Sequence, residues 1–421
     1  MVAYFLFFFY LFFGTFLLHQ IIRRKIFPFT IYHTAAIVFF KVMMGCFYGW
    51  VFFHYYSGDD TWNYFNESQE QTNYLLRHPS LYFREFLPAH SLQATNYQAW
   101  DALVFYINHF EKWFMIKWLA ILNVLSAKNY YTDMIWFEFL TLPGPLLLFK
   151  ILVREFPERA GKNFILVFFI PSVVFWCSGI RAEGLLLLFM MLMIYNGQAY
   201  TRYPRKRRLI GIAAGFLGIL LIRYQFLAVF LPAWIAFLVS LKKKDLSPRY
   251  FNWIYGFLLV IFLSSLFLPA ADQLSRPLIR TQQKFFGLNG NTRYTLDKLD
   301  PGPISFIKIL PQAVANSFLR PYPWEGKNIL QSVSSVEVLL MIAGVLYFIA
   351  GPKRRKQVSH PVYWLFLYYG ITQFIAIGYT VPFPGAIVRY RCIGFLFFML
   401  FLYAGNPLLQ QKLRHWIFKL H

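Results

Sequence analysis

Charge is scarce in this sequence, and negative charge above all. Only 14% of its 421 residues are Asp, Glu, Lys or Arg, with 18 acids against 41 Lys and Arg. Soluble globular chains carry about 25% charged residues. Cysteine occurs three times, which excludes a disulfide scaffold and a thiolate metal cage. P-loop, HExxH and GxSxG motifs are absent, so nucleotide hydrolysis, zinc proteolysis and serine-esterase chemistry have no support.

Apolar residues dominate instead: 58% of the chain is hydrophobic and 21% is aromatic. They form long runs such as AYFLFFFYLFFGTFLL, which indicate transmembrane helices. The first run, at about 2–22, has basic residues after it and none before it, which favours an anchor over a secretory signal. Further runs lie at about 34–54, 131–153, 163–177, 183–200, 209–222, 225–241, 251–269, 336–351, 361–379 and 393–408. We predict an all-α, polytopic bundle of about eleven spans, with 1–421 as a single integral membrane domain.

The basic residues test this count, because Lys and Arg accumulate on the cytoplasmic side of a membrane. Six loops hold 23 of the 41 Lys and Arg, and they lie at 23–25, 150–162, 202–208, 242–249, 353–356 and 412–419. An even number of crossings separates consecutive loops, which predicts an outside N-terminus and an inside C-terminus in the plasma membrane. The net charge of +23 is then mostly a topology signal. Membrane lipids are expected partners, and nucleic acid is not.

Three segments remain outside in this topology, at about 57–130, 270–335 and 380–392, and together they form the candidate active face. They lack the Ser/Gly-rich composition of linkers, so we expect them to fold against the membrane. Within the first, FEKWFMIKWLAILNVLSA (110–127) suits a helix in the interface, or a segment that dips into the membrane.

The motif YYSGDDTWNYF (55–65) follows an early span and places two carboxylates, Asp59 and Asp60, at the outer surface. A carboxylate at a membrane surface can act as a general base, because partial desolvation raises its pKa. Adjacent Asp side chains point in different directions, so one can act while the other orients or binds. Ser, Gly and Asp are also ordinary turn residues, and a simple helix stop is the alternative.

Two further outer motifs combine arginine with aromatic residues. FLRPYPWEGKN (318–328) places Arg320 beside Tyr322 and Trp324, and VPFPGAIVRYRC (381–392) places Arg389 and Arg391 before the last span. Aromatic faces stack on sugars, and arginine makes paired hydrogen bonds to phosphate. If the second motif is extended, its two arginines share a face. An interfacial aromatic belt and simple headgroup contacts are the alternatives.

Ionisable residues also occur between and within the predicted spans. Arg181 and Glu183 lie in the tight turn SGIRAEG (178–184), where such residues are usually paired or functional, and Arg223 marks the next outer turn. We include Arg181 and Glu183 among the candidate substrate-binding residues. Lys41 and Glu138 fall inside predicted spans, where snorkelling or a misplaced boundary is the simpler explanation.

These motifs together resemble the bacterial polytopic glycosyltransferases of the GT-C superfamily. The likeness extends over most of the chain in layout and depends on SGDDTWNYF, PSVVFWCSGIRAEG, RPYPWE and RYR. These enzymes are distant relatives of the protein mannosyltransferases and the aminoarabinose lipid A transferases. The resemblance implies a GT-C-like fold, a polyprenyl-phosphate sugar as donor, and a reaction on the outer side of the membrane.

On this resemblance Asp59 or Asp60 is the base, and Arg389, Arg391 and Arg320 bind the donor phosphate. The extra N-terminal span departs from the family, which commonly places its acidic loop straight after the first helix. The orientation of that loop is nevertheless the same. The two acids also differ from the spaced Asp/Glu pair usual in the family.

The predicted function is transfer of a sugar from a polyprenyl-phosphate carrier to an envelope glycan, lipid or protein. No cofactor is expected, and nothing specifies a metal at Asp59 or Asp60, although one is compatible with them. An O-antigen-type polysaccharide polymerase is the alternative, and ladders of product would identify it. A lipid-linked sugar transporter or flippase would need ionisable residues along the bundle interior, which makes it the weaker alternative.

Overall fold

The computed structural model describes residues 1–26, 29–56, 58–85, 99–270, 272–288, 293–326, 328–350 and 360–403, with the side chains of 25 and 99–104 excepted. These residues form helices and turns and contain no strand. The helices are α1 (Val2–Lys25), α2 (Ile31–His54), α3 (Asp60–Arg77), α4 (Pro79–Arg84), α5 (Ala99–Leu125), α6 (Tyr130–Thr141), α7 (Pro143–Glu155), α8 (Ala160–Phe168), α9 (Pro171–Trp176), α10 (Ala182–Arg202), α11 (Lys206–Ser240), α12 (Ser247–Ser265), α13 (Arg276–Phe286), α14 (Pro303–Val314), α15 (Ile329–Ile349), α16 (Pro361–Thr380) and α17 (Pro384–Tyr403).

Nine segments of the described residues are long and apolar enough to cross a membrane. They are Val2–Arg24, Ile31–His54, Tyr130–Glu155, Ala182–Arg202, Lys206–Ser240, Lys244–Ser265, Ile329–Ile349, Pro361–Thr380 and Pro384–Tyr403. The prediction of a helical, multi-pass membrane protein is therefore confirmed. The predicted span 163–177 consists of two short helices, α8 and α9, and the spans 209–222 and 225–241 both lie in α11. The count of eleven stays a prediction.

The chain reverses direction within α11, at Arg223, where the backbone is not helical. Gly215 packs so closely on α10 that a β-carbon there would lie 2.6 Å from Met193 Cγ. Trp234 donates a hydrogen bond to the carbonyl of the same Met193 at 3.2 Å. In a straight helix, residues 215 and 234 would be about 28 Å apart. Because both contact Met193, α11 is a helical hairpin, as the sequence predicted from the arginine at this position.

Burial separates central from peripheral spans. In the most apolar stretches of α10 and α17, 78% of the residues are buried, against 22% in α1 and 11% in the span that includes α12. The peripheral helices expose large apolar side chains, such as Phe12 and Phe257. Lipid tails are as apolar as these side chains, so exposed apolar surface of this extent suits direct contact with lipid.

One end of the bundle gathers residues from the predicted inner loops around the carboxylate of Glu155. That carboxylate lies 2.6 Å from Arg202 Nη2, 3.6 Å from Lys244 Nζ and 3.1 Å from His360 Nε2. Glu155, Arg202 and Lys244 belong to three different basic loops. The basic clusters 353–356 and 412–419 lie outside the described residues.

The opposite end contains the turn that leads into α10. Glu183 and Arg202 lie near the two ends of this helix, 19 residues apart, which corresponds to a rise of about 29 Å. The hydrocarbon core of a bilayer is about 30 Å thick. The two charged ends are therefore separated by the length of a membrane-spanning helix.

The described residues of the three segments predicted to lie outside include several helices. Segment 57–130 contains α3, α4 and α5, and segment 270–335 contains α13 and α14. α5 covers most of the interfacial helix predicted at 110–127 and ends at Leu125, and it is absent from the nine candidate spans. It packs on α3 through Asn123, whose side-chain amide donates to Ser68 at 2.8 Å and Thr72 at 3.0 Å. The third segment, 380–392, is mostly the first part of α17, since Pro384 starts that helix.

Candidate functional site

The two predicted carboxylates lie at the start of α3, directly after a tight turn. Gly58 adopts a φ of +102°, a left-handed conformation that glycine takes without the steric penalty other residues meet. Asp59 is the N-cap of α3 and accepts a hydrogen bond from the Thr61 backbone N–H at 3.1 Å. Asp60 is the first residue of the helix. The turn residues and the two acids therefore have a structural role, the helix stop and restart that the sequence left as an alternative.

Both oxygens of the Asp59 carboxylate accept hydrogen bonds from protein groups. Its Oδ2 accepts from Arg181 Nη1 at 2.9 Å and from the Tyr48 hydroxyl, while its Oδ1 accepts from Thr61. Arg181 Nη1 also donates to the Tyr48 hydroxyl oxygen at 2.8 Å. The Asp59 side chain is 15% exposed. Asp59 thus anchors the start of α3 to the turn that precedes α10.

Asp60 has a very different environment. Its side chain is 55% exposed, and among the described residues its only ion pair is with Arg389 Nη2, at 3.7 Å. At that distance the pairing is loose, because a charged hydrogen bond is normally about 2.7–2.9 Å long. Of the two adjacent acids, Asp60 is the one whose oxygens are available to a ligand.

Glu183 connects two arginines from distant parts of the chain. Its Oε1 lies 2.6 Å from Arg389 Nε and its Oε2 lies 3.3 Å from Arg181 Nε. The Glu183 and Arg181 side chains are each only 2% exposed. Burial lowers the pKa of Arg181, but Tyr48, Glu183 and Asp59 raise it well above its ordinary value. Arg181 therefore stays charged at the centre of this network.

The turn that carries Arg181 is held by a buried ion pair between α2 and α6. Lys41 Nζ lies 2.5 Å from Glu138 Oε2 and donates to the Cys177 carbonyl at 2.7 Å. Glu138 Oε1 accepts from the backbone N–H of Gly179 at 2.5 Å, whose φ of +74° bends the chain. Lys41 and Glu138 therefore support the position of Arg181, which is a more specific role than snorkelling.

A further ion pair extends the network towards α5 and the α11 hairpin. Arg223 Nη2 lies 3.0 Å from Glu111 Oε1. Burial raises the pKa of Glu111, and the Arg223 guanidinium opposes that rise. We call the whole set the carboxylate–arginine cluster: Asp59, Asp60, Glu111 and Glu183 with Arg181, Arg223 and Arg389. Four carboxylates face three guanidiniums, so the ionised cluster has one net negative charge.

The remaining predicted residues form a second group. Arg391 is buried and its Nη1 donates to the carbonyls of Ser317 at 2.6 Å and Arg320 at 2.7 Å. Arg320 lies 3.4 Å from Glu325 and its guanidinium carbon is 4.2 Å from the centre of the Tyr294 ring. Arg391 therefore fixes the backbone that presents Arg320, and the Arg320 side chain itself remains 23% exposed.

Tyr322 and Trp324 form a stacked aromatic pair beside Arg320. Their ring centres are 5.0 Å apart with an angle of 12° between the planes. Trp324 is 80% exposed, so one large aromatic surface faces away from the protein. This geometry suits either the sugar-stacking role or the interfacial belt that the sequence left open.

Arg389 and Arg391 do not share a face, in contrast to the extended conformation considered from the sequence. Both lie in the first turns of α17, which starts at Pro384. Two residues in an α-helix are rotated by about 200° relative to each other. Arg389 accordingly joins the carboxylate–arginine cluster, while Arg391 binds the carbonyls at 317 and 320.

The structure thus brings five predicted residues into one network: Asp59, Asp60, Arg181, Glu183 and Arg389. Sequence reasoning missed Tyr48 and Glu111. Tyr48 is one of many aromatic residues in its span, and Glu111 lies among ordinary surface charges, so neither had a distinguishing signal. Among the described residues, no group of three His, Cys, Asp or Glu side chains is placed to hold a metal ion.

No family model, no curated protein and no solved structure matches this chain.

Proposed function

We propose that this protein is a membrane glycosyltransferase that takes its sugar from a polyprenyl-phosphate carrier. The observation that carries the proposal is the pairing of an exposed carboxylate, Asp60, with Arg389 inside a fixed network of charges. The network lies about one membrane thickness from the opposite end of the bundle, where charged residues surround Glu155. A site at the membrane surface suits a donor whose lipid part stays in the bilayer.

The reaction requires a base and a group that stabilises phosphate. The acceptor hydroxyl oxygen forms a bond to the anomeric carbon while the bond from that carbon to the phosphate oxygen breaks. Asp60 takes the hydroxyl proton, and polyprenyl phosphate leaves with the bonding electrons. The transition state resembles an oxocarbenium ion, so developing negative charge on the phosphate needs nearby guanidinium groups. Arg389 and Arg320 are the candidates, because Arg391 is committed to backbone carbonyls.

Asp59 has a positioning role in this proposal. Its two oxygens already accept hydrogen bonds from Arg181, Tyr48 and Thr61, whereas those of Asp60 are open to an acceptor hydroxyl. It holds the start of α3, and with it Asp60, against the turn before α10. The assignment of separate roles to adjacent acids follows from their different contacts.

The proposal places the carboxylate–arginine cluster outside the cytoplasm of a bacterium. Three predicted inner loops supply Glu155, Arg202 and Lys244, which meet at the other end of the bundle. Accumulation of Lys and Arg at one end is typical of the cytoplasmic side. An outside N-terminus and an inside C-terminus are part of the same proposal.

Cysteine labelling in intact cells tests this orientation. In a chain whose three native cysteines are replaced by serine, Trp324→Cys should react with a membrane-impermeant maleimide, whereas Tyr203→Cys should react only after permeabilisation. Both positions are well exposed, at 80% and 73%, so access to the reagent depends on the side of the membrane. The reverse labelling pattern would contradict the orientation.

A transfer assay tests the function itself. Full-length protein in liposomes, supplied with polyprenyl-phosphate glucose or mannose and an envelope extract as acceptor, should release free polyprenyl phosphate. Arg320→Gln should raise KM for the lipid donor about tenfold, because a hydrogen bond to a charged group contributes about 1.5–3 kcal/mol. Arg280→Gln is the matched control. This arginine is exposed on α13 and is distant in sequence from the carboxylate–arginine cluster and from Arg320.

The products of this assay separate the alternatives. Single additions support a transferase, and ladders indicate a polymerase. Movement of the lipid-linked sugar across the bilayer with its glycosidic bond intact would overturn the proposal in favour of a transporter.

A further inference from the structure

A cleft between α3 and α5 lies beside the carboxylate–arginine cluster and is not used by the proposed reaction. Its volume is about 270 Å³, and it is lined by Glu67, Glu70, Gln71, His109, Lys112, Trp113 and Ile116. Small-molecule sites usually measure about 300–1,000 Å³. The cleft volume lies just below this range, so the cleft suits a small ligand of about one ring.

The lining combines an aromatic ring with several hydrogen-bonding groups. Trp113 contributes a partly exposed indole ring with a donor N–H, and the Lys117 ammonium lies 5.5 Å from the centre of that ring. Gln71 has a buried side-chain oxygen that lacks a partner among the described residues. A buried acceptor without a partner is costly, so a ligand that donates a hydrogen bond would satisfy it. Sugar rings present C–H groups to an aromatic face and hydroxyl groups at their edges.

The charges in the cleft disfavour a phosphorylated ligand. Lys112 Nζ is already paired with Glu67 at 2.7 Å, and Glu70 adds a second carboxylate to the lining. A metal ion is also disfavoured, because Glu67, Glu70 and His109 do not form a metal-binding group within the described part of the chain. A neutral ligand rich in hydroxyl groups fits this environment best.

The cleft and Asp60 lie along the same face of α3. Glu67 and Gln71 follow Asp60 by 7 and 11 residues, which places all three within about 20° of one line on the helix surface. The rise per residue puts the two cleft residues about 10 Å and 16 Å from Asp60. Tyr64 lies between them on this face, and burial, Glu111 and Asp60 all raise its pKa.

We propose that the α3–α5 cleft binds a neutral sugar unit of the acceptor, some distance from the hydroxyl that reacts at Asp60. The proposal rests on the glycosyltransferase function and selects a glycan among the glycan, lipid and protein acceptors. A sugar held by Trp113, Gln71 and Glu70 would orient an acceptor chain along α3 with its reacting end at Asp60.

Sugar binding without any donor tests the proposal independently of catalysis. Purified full-length protein, in a detergent that lacks a sugar headgroup, is titrated with the methyl glycosides of glucose, galactose, mannose and N-acetylglucosamine. Saturation-transfer NMR should detect binding of at least one of them. Trp113→Ala should weaken that binding at least tenfold, and Trp253→Ala should leave it unchanged, since Trp253 is a highly exposed tryptophan on α12.

A second variant distinguishes loss of sugar binding from loss of folding. Gln71→Leu keeps the approximate side-chain size, removes the unpartnered oxygen and should also weaken binding while the protein elutes and melts as the wild type does. Binding that persists in folded Trp113→Ala and Gln71→Leu, or no binding of any of the four glycosides, would overturn the cleft assignment. Displacement of the bound glycoside by calcium chloride would likewise overturn it and identify a cation site.

The two proposals fail in different ways. If Asp60→Asn transfers sugar normally but the cleft binds glycosides through Trp113, the catalytic assignment fails and the sugar site stands. If transfer depends on Asp60 but glycosides bind independently of Trp113, only the cleft assignment fails.

Discussion

Replacing Asp60 by asparagine is expected to lower the rate of sugar transfer by about 10²–10⁴-fold, the usual contribution of a general base. Asparagine has nearly the same shape but does not accept a proton at neutral pH. Because the Asp60 side chain is 55% exposed and only loosely paired with Arg389, its loss should not disturb folding. The measurement is kcat with saturating lipid donor, together with the thermal unfolding temperature of the same sample.

Asp59→Asn is the matched control for this prediction. Asparagine is as good an N-cap as aspartate, but it loses the charge that pairs with buried Arg181. The expected result is a lower unfolding temperature with a smaller loss of kcat than in Asp60→Asn. Full activity in both variants would rule out either residue as the base, and an inactive Asp59→Asn beside a fully active Asp60→Asn would exchange their roles.

The sequence predicted the parts of the fold that depend on local hydrophobicity. Long apolar runs identify spans without reference to the rest of the chain, and an arginine between two such runs correctly indicated the reversal at Arg223. The two short helices α8 and α9 were harder to predict, because a 15-residue apolar run is compatible with either a span or a broken pair. Pro171 at the start of α9 accounts for that break.

The candidate site was predictable only in part, because its geometry depends on contacts between distant residues. Arg181, Glu183 and Arg389 were conspicuous as charges near predicted outer turns, but nothing in the sequence pairs residues 206 positions apart. Lys41 and Glu138 illustrate the same limit, since each looked isolated in its own span. The position of the α17 start decided the rest: because the helix begins at Pro384 and not at the predicted 393, Arg389 and Arg391 are both helical and point in different directions.

Glu183 should have the largest effect on stability of any residue in the carboxylate–arginine cluster. Glu183→Met removes the carboxylate that pairs with both Arg181 and Arg389, and leaves the buried Arg181 and the half-buried Arg389 without their shared counter-ion. Breaking a buried ion pair by removing one partner costs about 3–5 kcal/mol. We expect a much lower thermal unfolding temperature in the same detergent, and loss of transfer activity because Arg389 no longer has a fixed position.

A double variant distinguishes this electrostatic effect from a packing defect. Glu183→Met combined with Arg389→Met removes one of the two opposed charges, so its unfolding temperature should recover partly towards the wild-type value, while activity stays low because Arg389 is absent. Asp300→Asn is the control for an exposed pair: its partner Lys298 is 4.0 Å away and both side chains are about two-thirds exposed, so the change should be under about 1 kcal/mol. A double variant less stable than the single one would contradict the electrostatic explanation, because removing a like charge should then have brought no relief.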